Sequence, residues 1–300
     1  MTTPLEQLLT EQVDARYADI DAASVGELAT MMNEADTTVP AAVRAALGQI
    51  VPAVEAIVAG LREGGRLFYI GAGTAGRMGV LDASECPPTF NTAPDQVNGI
   101  VAGGLDALVE AQEGAEDDED AGAADIRAHG AGAGDTVVGI ASSGRTPYVL
   151  GALRAARELG ALTVGLSCNA DSDIGLAADF PIEVLVGPEV VAGSTRLKAG
   201  TAQKMVLNMI STISMVQLGK TYGNLMVDMR ATNAKLRERA ARMVQTVTGS
   251  DRATALSALE LADMEVKPAI LLLRAGVDID EARRRLHRAG GRLRAALGEE

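Results

Sequence analysis

Aromatic residues are scarce in this 300-residue chain. They make up 2% of it, and tryptophan is absent. Platforms on which single-stranded bases stack need such rings, so a nucleic-acid partner of that kind is excluded. Histidine occurs twice, at His129 and His287, too seldom for a histidine-based zinc site. Two cysteines, Cys86 and Cys168, stand in unrelated contexts and form neither a CxxC pair nor a disulfide framework. Basic residues are outnumbered 27 to 40, leaving a net charge of −13. The nearest approach to a basic stripe, RRRLHRAGGRLR, reads as the solvated face of a helix, so duplex binding is not expected. No apolar run is long enough to span a bilayer, and MTTPLEQLLTEQVDARYADI lacks the apolar centre of a secretory signal. The expectation is a cytoplasmic chain with no membrane partner.

What is present is a large aliphatic core and much glycine: 47% hydrophobic residues and 33 glycines. Short apolar runs alternate with helical patterns. RLFYIG, VNGIVAG, DTVVGIASSG, ALTVGLSC and FPIEVLVG read as strands, and the segments between them as helices. Such alternation predicts an α/β protein with a parallel sheet covered on both faces. The acidic stretch 105–130 reads as helix, and STRLKAGTAQKMVLNMISTISMVQLG as a long Met-rich helix for core or dimer packing. Three domains are expected: an N-terminal helical arm (1–45), a ligand-binding α/β domain (46–232) and a C-terminal three-helix subdomain (233–300).

In open α/β sheets, ligands sit at the carboxyl ends of strands. Two loops lie there. GAGTAG, from Gly71 to Gly76, matches the G-x-G-x-x-G dinucleotide pattern. A dinucleotide site also needs an acid at the end of the next strand, and VNGIVAGG ends in two glycines. The loop therefore reads either as a tight packing turn or as a cradle for another anion. The second loop, ASSGRTPY, offers Ser142, Ser143 and Thr146 at a helix start. Alone it is an ST-turn or a phosphate site. Together with Gly73 and Thr74 of the first loop, it suits a sugar phosphate better than a dinucleotide.

The stretches GAGTAGRMGVLDASECPPTF, EGAEDD, GIASSGRTPYV, GPEVVAGSTRLKAGTAQKMVLNMIST and GNLMVDMRATNAKL closely resemble the N-acetylmuramic acid 6-phosphate etherases, a family of the sugar isomerase (SIS) superfamily related to the glucokinase regulatory protein. The resemblance covers nearly the whole chain. It implies a SIS-type, flavodoxin-like three-layer αβα sandwich with a small C-terminal helical subdomain, and usually a homodimer. It also implies removal of D-lactate from N-acetylmuramate 6-phosphate, in cell-wall amino sugar recycling.

That chemistry needs two acid/base groups and a phosphate anchor, and neither metal nor redox cofactor. By the family motifs the pair is Glu85 and Glu116. Glu85 is expected at a helix end stopped by Pro87-Pro88, partly desolvated and thus suited to be the acid on the lactyl oxygen. Glu116, one of several acids in its stretch, aligns with the family's second glutamate and is the expected base at C2. Glu189 and Lys198 are further candidates for substrate contact, and Arg77 and Arg145 either add positive charge or pair locally. Cys86 reads as a small buried residue. The rival functions are an aldose–ketose sugar-phosphate isomerase and a non-catalytic sugar-phosphate sensor. ASECPP and EGAEDD weigh against the first, and the retained glutamates against the second.

Overall fold

The computed structural model describes residues 5–229 and 234–299. The domain boundary read at residues 232–233, with part of the GNLMVDMRATNAKL motif, lies outside them. The N-terminal region is a series of single 3-10 turns, Leu5–Gln7 to Ile20–Ala22. Three helices follow: α1 (Val25–Asp36), α2 (Val39–Ala45) and α3 (Leu47–Arg62). Ser24 and Glu27 close a reciprocal capping box on α1, satisfying donors that an open helix end leaves bare.

The alternating region follows the sequence reading strand for strand: β1 (Leu67–Gly71), α4 (Gly73–Phe90), β2 (Val97–Val101), α5 (Glu119–Ala128), β3 (Thr136–Ile140), α6 (Pro147–Glu158), β4 (Leu162–Ser167), α7 (Asp173–Ala177), β5 (Phe180–Glu183) and α8 (Lys198–Gln217). All pairs are parallel, in the order β2-β1-β3-β4-β5. The strands are apolar on both faces because both are covered. Phe68, Ile70 and Val137 pack with Tyr148, Val149 and Leu153 of α6. On the other face, Gly79 of α4 sits so close to Tyr69 that a Cβ there would lie 2.8 Å from the tyrosine Cβ.

Strand order reverses between β1 and β3, the place where ligands collect in such sheets. The register puts Gly71 beside Ile140. The loop after β1 and the loop after β3 therefore start level with each other.

Two expectations are corrected. Pro87-Pro88 does not stop α4: the helix runs to Phe90, with Asn91 N–H bonded to the Pro87 carbonyl at 2.9 Å. The acidic stretch is not one helix. It holds 3-10 turns at Leu105–Leu108 and Ala115–Asp117, and α5 begins only at Glu119.

Packing divides the chain into two compact units, Met1–Ser84 with Pro94–Ser211, and Glu85–Ala93 with Thr212–Glu300. The second unit has five helices beyond residue 233 where the sequence reading expects three: α9 (Ala234–Thr248), α10 (Arg252–Leu261), α11 (Val266–Ala275), α12 (Ile279–Arg288) and α13 (Leu293–Leu297). Its own core includes Val244, Leu259, Ile270, Leu271 and Leu293. Asp251 and Asp278 cap α10 and α12 by accepting the N–H of the residue three further on, each at 2.8 Å.

Candidate active site

The GAGTAG loop turns from β1 into α4 within one residue. Gly71 and Gly76 make this possible: a Cβ on Gly76 would lie 2.5 Å from the Gly71 carbonyl oxygen. The close approach leaves the first turn of α4, with Gly73 and Thr74, at the carboxyl edge of the sheet. Helix-start N–H groups there favour an anion.

Beside this turn is a cavity of about 320 Å³, lined by Ala72, Gly73, Arg77, Ala107 and Ala111, and by Glu116 with its neighbour Glu113. Glu116 reaches it because Gly114 adopts φ 78°, a left-handed conformation that a side chain resists, and so swings the following 3-10 turn toward the sheet edge. The expectation that Glu116 belongs to a helical acidic run is thus replaced by a single-turn position at the mouth of a cavity. Arg77 is half-buried, and its Nε–H donates to the Ala107 carbonyl at 2.9 Å. It fixes the loop that forms the far wall.

Glu85 lies on α4, three turns beyond Thr74, and is exposed. The helix continues past it, so it lies short of the helix-end carbonyls. It also lacks the burial expected from the prolines. Cys86 beside it is buried at 2% exposure. Burial and the nearby Glu189 carboxylate push the Cys168 thiol up to about 12, so it stays protonated.

The second loop is held from below. Gln203 of α8, fully buried, donates from Nε2 to Ser142 Oγ at 2.9 Å. The Ser142 hydroxyl thereby accepts at its oxygen and keeps its hydrogen for another acceptor. Asn169, also buried, donates from Nδ2 to the Ser142 carbonyl at 3.0 Å and to Thr10 Oγ1 of the N-terminal region at 3.0 Å. Ser143 Oγ accepts the Arg145 N–H at 3.3 Å, the local ST-turn anticipated from sequence. Thr146 precedes α6 and makes no side-chain cap, so its hydroxyl is not spent on the helix. Across the sheet edge, Thr74 meets α8: a Cβ at Gly200 would lie 3.3 Å from Thr74 Cγ2. Thr74, Ser142 and the first turns of α8 converge.

Glu189 and Lys198 are brought together at the start of α8. The Glu189 oxygens accept the N–H groups of Lys198 and Ala199, each at 2.9 Å, and Lys198 Nζ donates to the Val186 carbonyl at 2.8 Å. Burial raises the Glu189 carboxyl, against the pull of those two N–H donors, and burial lowers the Lys198 ammonium. The pair fastens the start of α8. Gln203 and Asn169 escape sequence reasoning because they lie 61 and 27 residues from Ser142 and belong to no local pattern.

Residues 49–157 match the glucokinase regulatory protein N-terminal SIS domain family, and residues 119–213 the SIS domain family. Among curated proteins, the chain is 57% identical to the N-acetylmuramic acid 6-phosphate etherase of Streptomyces avermitilis over 98% of its length and 94% of that protein's. It is 57% identical to that of Mycolicibacterium smegmatis, covering 98% and 99%. For that of Rubrobacter xylanophilus the identity is 56%, covering 100% and 99%.

Proposed function

Because the chain belongs to the N-acetylmuramic acid 6-phosphate etherase family, we infer that it is a carbon–oxygen lyase. It cleaves the D-lactyl ether of N-acetylmuramate 6-phosphate with water, giving N-acetylglucosamine 6-phosphate and D-lactate in cell-wall amino sugar recycling.

The family motifs supply the two glutamates, and the chemistry suggests a role for each. An unactivated ether is cleaved slowly, whereas the open-chain sugar offers an aldehyde at C1 that acidifies the proton on C2. Glu116 as carboxylate takes that proton. The C2–H electron pair forms the C2–C3 double bond, and the lactyl oxygen leaves C3 with a proton from Glu85. Water then adds at C3 of the enal, giving a proton to Glu85, while Glu116 returns its proton to C2. Both groups end as they began. Thr74, Ser142, Ser143 and Thr146, with the N–H groups at Gly73, hold the phosphate. Glu189 and Lys198 support the site by fixing the first turn of α8, the turn that touches Thr74. What supports the role of Glu116 is that it lines one cavity with Gly73 at the sheet's switch point, whereas Glu85 does not line that cavity and its role rests on the family motif.

The working form is a homodimer in the cytoplasm. Leu47 and Val51 on α3 and Leu81 on α4 are exposed apolar side chains suited to a partner chain. Among the described residues, no single helix is long and apolar enough to cross a membrane. The division into a 1–45 arm, a 46–232 sugar-phosphate domain and a 233–300 helical subdomain belongs to the same proposal.

The test is D-lactate release by purified protein without added cofactor. Wild type should release it, and Glu85→Ala and Glu116→Gln should each lose about 10²- to 10⁴-fold in kcat. A Glu116→Gln variant of normal activity would remove Glu116 from the mechanism.

A further inference from the structure

We propose that Arg77 is the group that recognises the lactyl carboxylate, and that the alanine-walled cavity it lines receives the D-lactyl arm. This rests on the etherase reading and extends it to the part of the substrate that distinguishes it from its product sugar.

Arg77 lies one turn along α4 from Thr74 and lines the same cavity as Glu116. Its Nε–H is spent on the Ala107 carbonyl. Among the described residues it makes no ion pair, although Glu113 and Glu116 share the cavity. A guanidinium has five N–H donors in a planar fork, so four remain for a ligand. The fork matches a carboxylate in two parallel bonds.

The rest of the cavity fits the rest of the arm. Ala72, Ala102, Ala107, Ala111 and Ala115 supply its apolar wall. Their methyl groups leave room for the small lactyl methyl. Charge requires a cation here. The protein carries −13, and the walls add Glu113 and Glu116. A substrate carboxylate entering without Arg77 would meet like charge alone. When the C3–O bond breaks, the departing lactyl oxygen lies beside its own carboxylate, so the same fork also steadies the leaving group.

The experiment compares two substrates in two proteins. One is N-acetylmuramate 6-phosphate, the other its carboxamide, in which the lactyl acid is neutral. Wild type should favour the acid by about 10- to 100-fold in kcat/KM, the range for a charge-assisted bidentate contact. Arg77→Gln should lose that factor on the acid, change little on the amide, and bind N-acetylglucosamine 6-phosphate as a competitive inhibitor with unchanged Ki. Equal losses on both substrates, or preserved discrimination, would overturn the proposal while leaving the etherase standing. No lactate from either substrate with wild type would instead remove the etherase reading itself. Because Arg77 also braces the 105–113 loop, Ala111→Leu gives an independent arm. Ala111 is exposed at the cavity mouth, so the change narrows the cavity without touching the core. It should raise KM for the muramate about 10-fold and leave the glucosamine Ki alone. A parallel rise in both would sink the assignment.

Discussion

At the scale of single residues, the Ser142 loop depends on what stands behind it. A serine hydroxyl has one hydrogen, and Gln203 decides where Ser142 spends it. By donating to Ser142 Oγ, the amide takes an acceptor site and leaves the O–H free to donate. Gln203→Leu fills the same volume without that donor. Expected is a rise in KM of about 5- to 10-fold, the worth of one hydrogen bond, with kcat nearly unchanged. Ser142→Ala should do the same, and the double variant should add little further, since the two act through one hydroxyl. Steady-state kinetics on the four proteins decides; fully additive losses would mean that Gln203 acts elsewhere. The loops that carry Ser142, Ser143, Thr146 and Thr74 were legible as strand-end turns because hydroxyls cluster there beside glycine. Glu85 and Glu116 were singled out only through the family motifs, since acids are common in this chain. Gln203 and Asn169 were not, because they are brought to Ser142 by the fold.

At the scale of elements, the strands were readable from composition, since a buried parallel strand is a short, unbroken apolar run. The ends of elements were less so. Two prolines read as a stop, yet a helix that has already passed them can finish its last turn, because they cost only the bonds to the Ala83 and Ser84 carbonyls. The sheet is secured at its other edge by a pair that no periodicity reveals. Asp135, at the start of β3, accepts the Arg66 backbone N–H at 2.8 Å and its Nη2 at 2.7 Å, joining the entry to β1 with the entry to β3. Burial raises the Asp135 carboxyl, but the Arg66 side chain and the backbone donors at Arg66 and Gly132 outweigh it and hold the group below the ordinary carboxylate range. A folded value below the unfolded one stabilises the fold above the unfolded pKa of about 3.9. That contribution is lost as pH falls through the folded value. Asp135→Asn should therefore cost about 1–3 kcal/mol near neutrality. The gap to wild type should shrink as pH falls below about 4. Urea unfolding at pH 7 and pH 3 measures both. A gap independent of pH would mean that charge at Asp135 plays no part.

At the scale of the whole molecule, charge works against the substrate. The chain carries −13, and the muramate brings a phosphate and a carboxylate of the same sign. On the proposed assignment, attraction in the site is short-ranged: Arg77, helix-start N–H groups and hydroxyls would act over a few ångströms. Repulsion from the remaining acids acts from farther off. Salt separates the two, because its screening length falls from about 30 Å at 0.01 M to about 8 Å at 0.15 M. Distant repulsion is then largely removed, while contacts in a partly enclosed cavity persist. Over that range, kcat/KM for the muramate should rise a few-fold through KM, with kcat steady. In Arg77→Gln, where the local attraction to the carboxylate is gone, the rise should be steeper. The carboxamide, one negative charge poorer, should show a shallower slope than the acid in either protein. A kcat/KM that falls with salt for all four pairings would show that the site's own cations, and not the acidic exterior, govern the approach of the substrate.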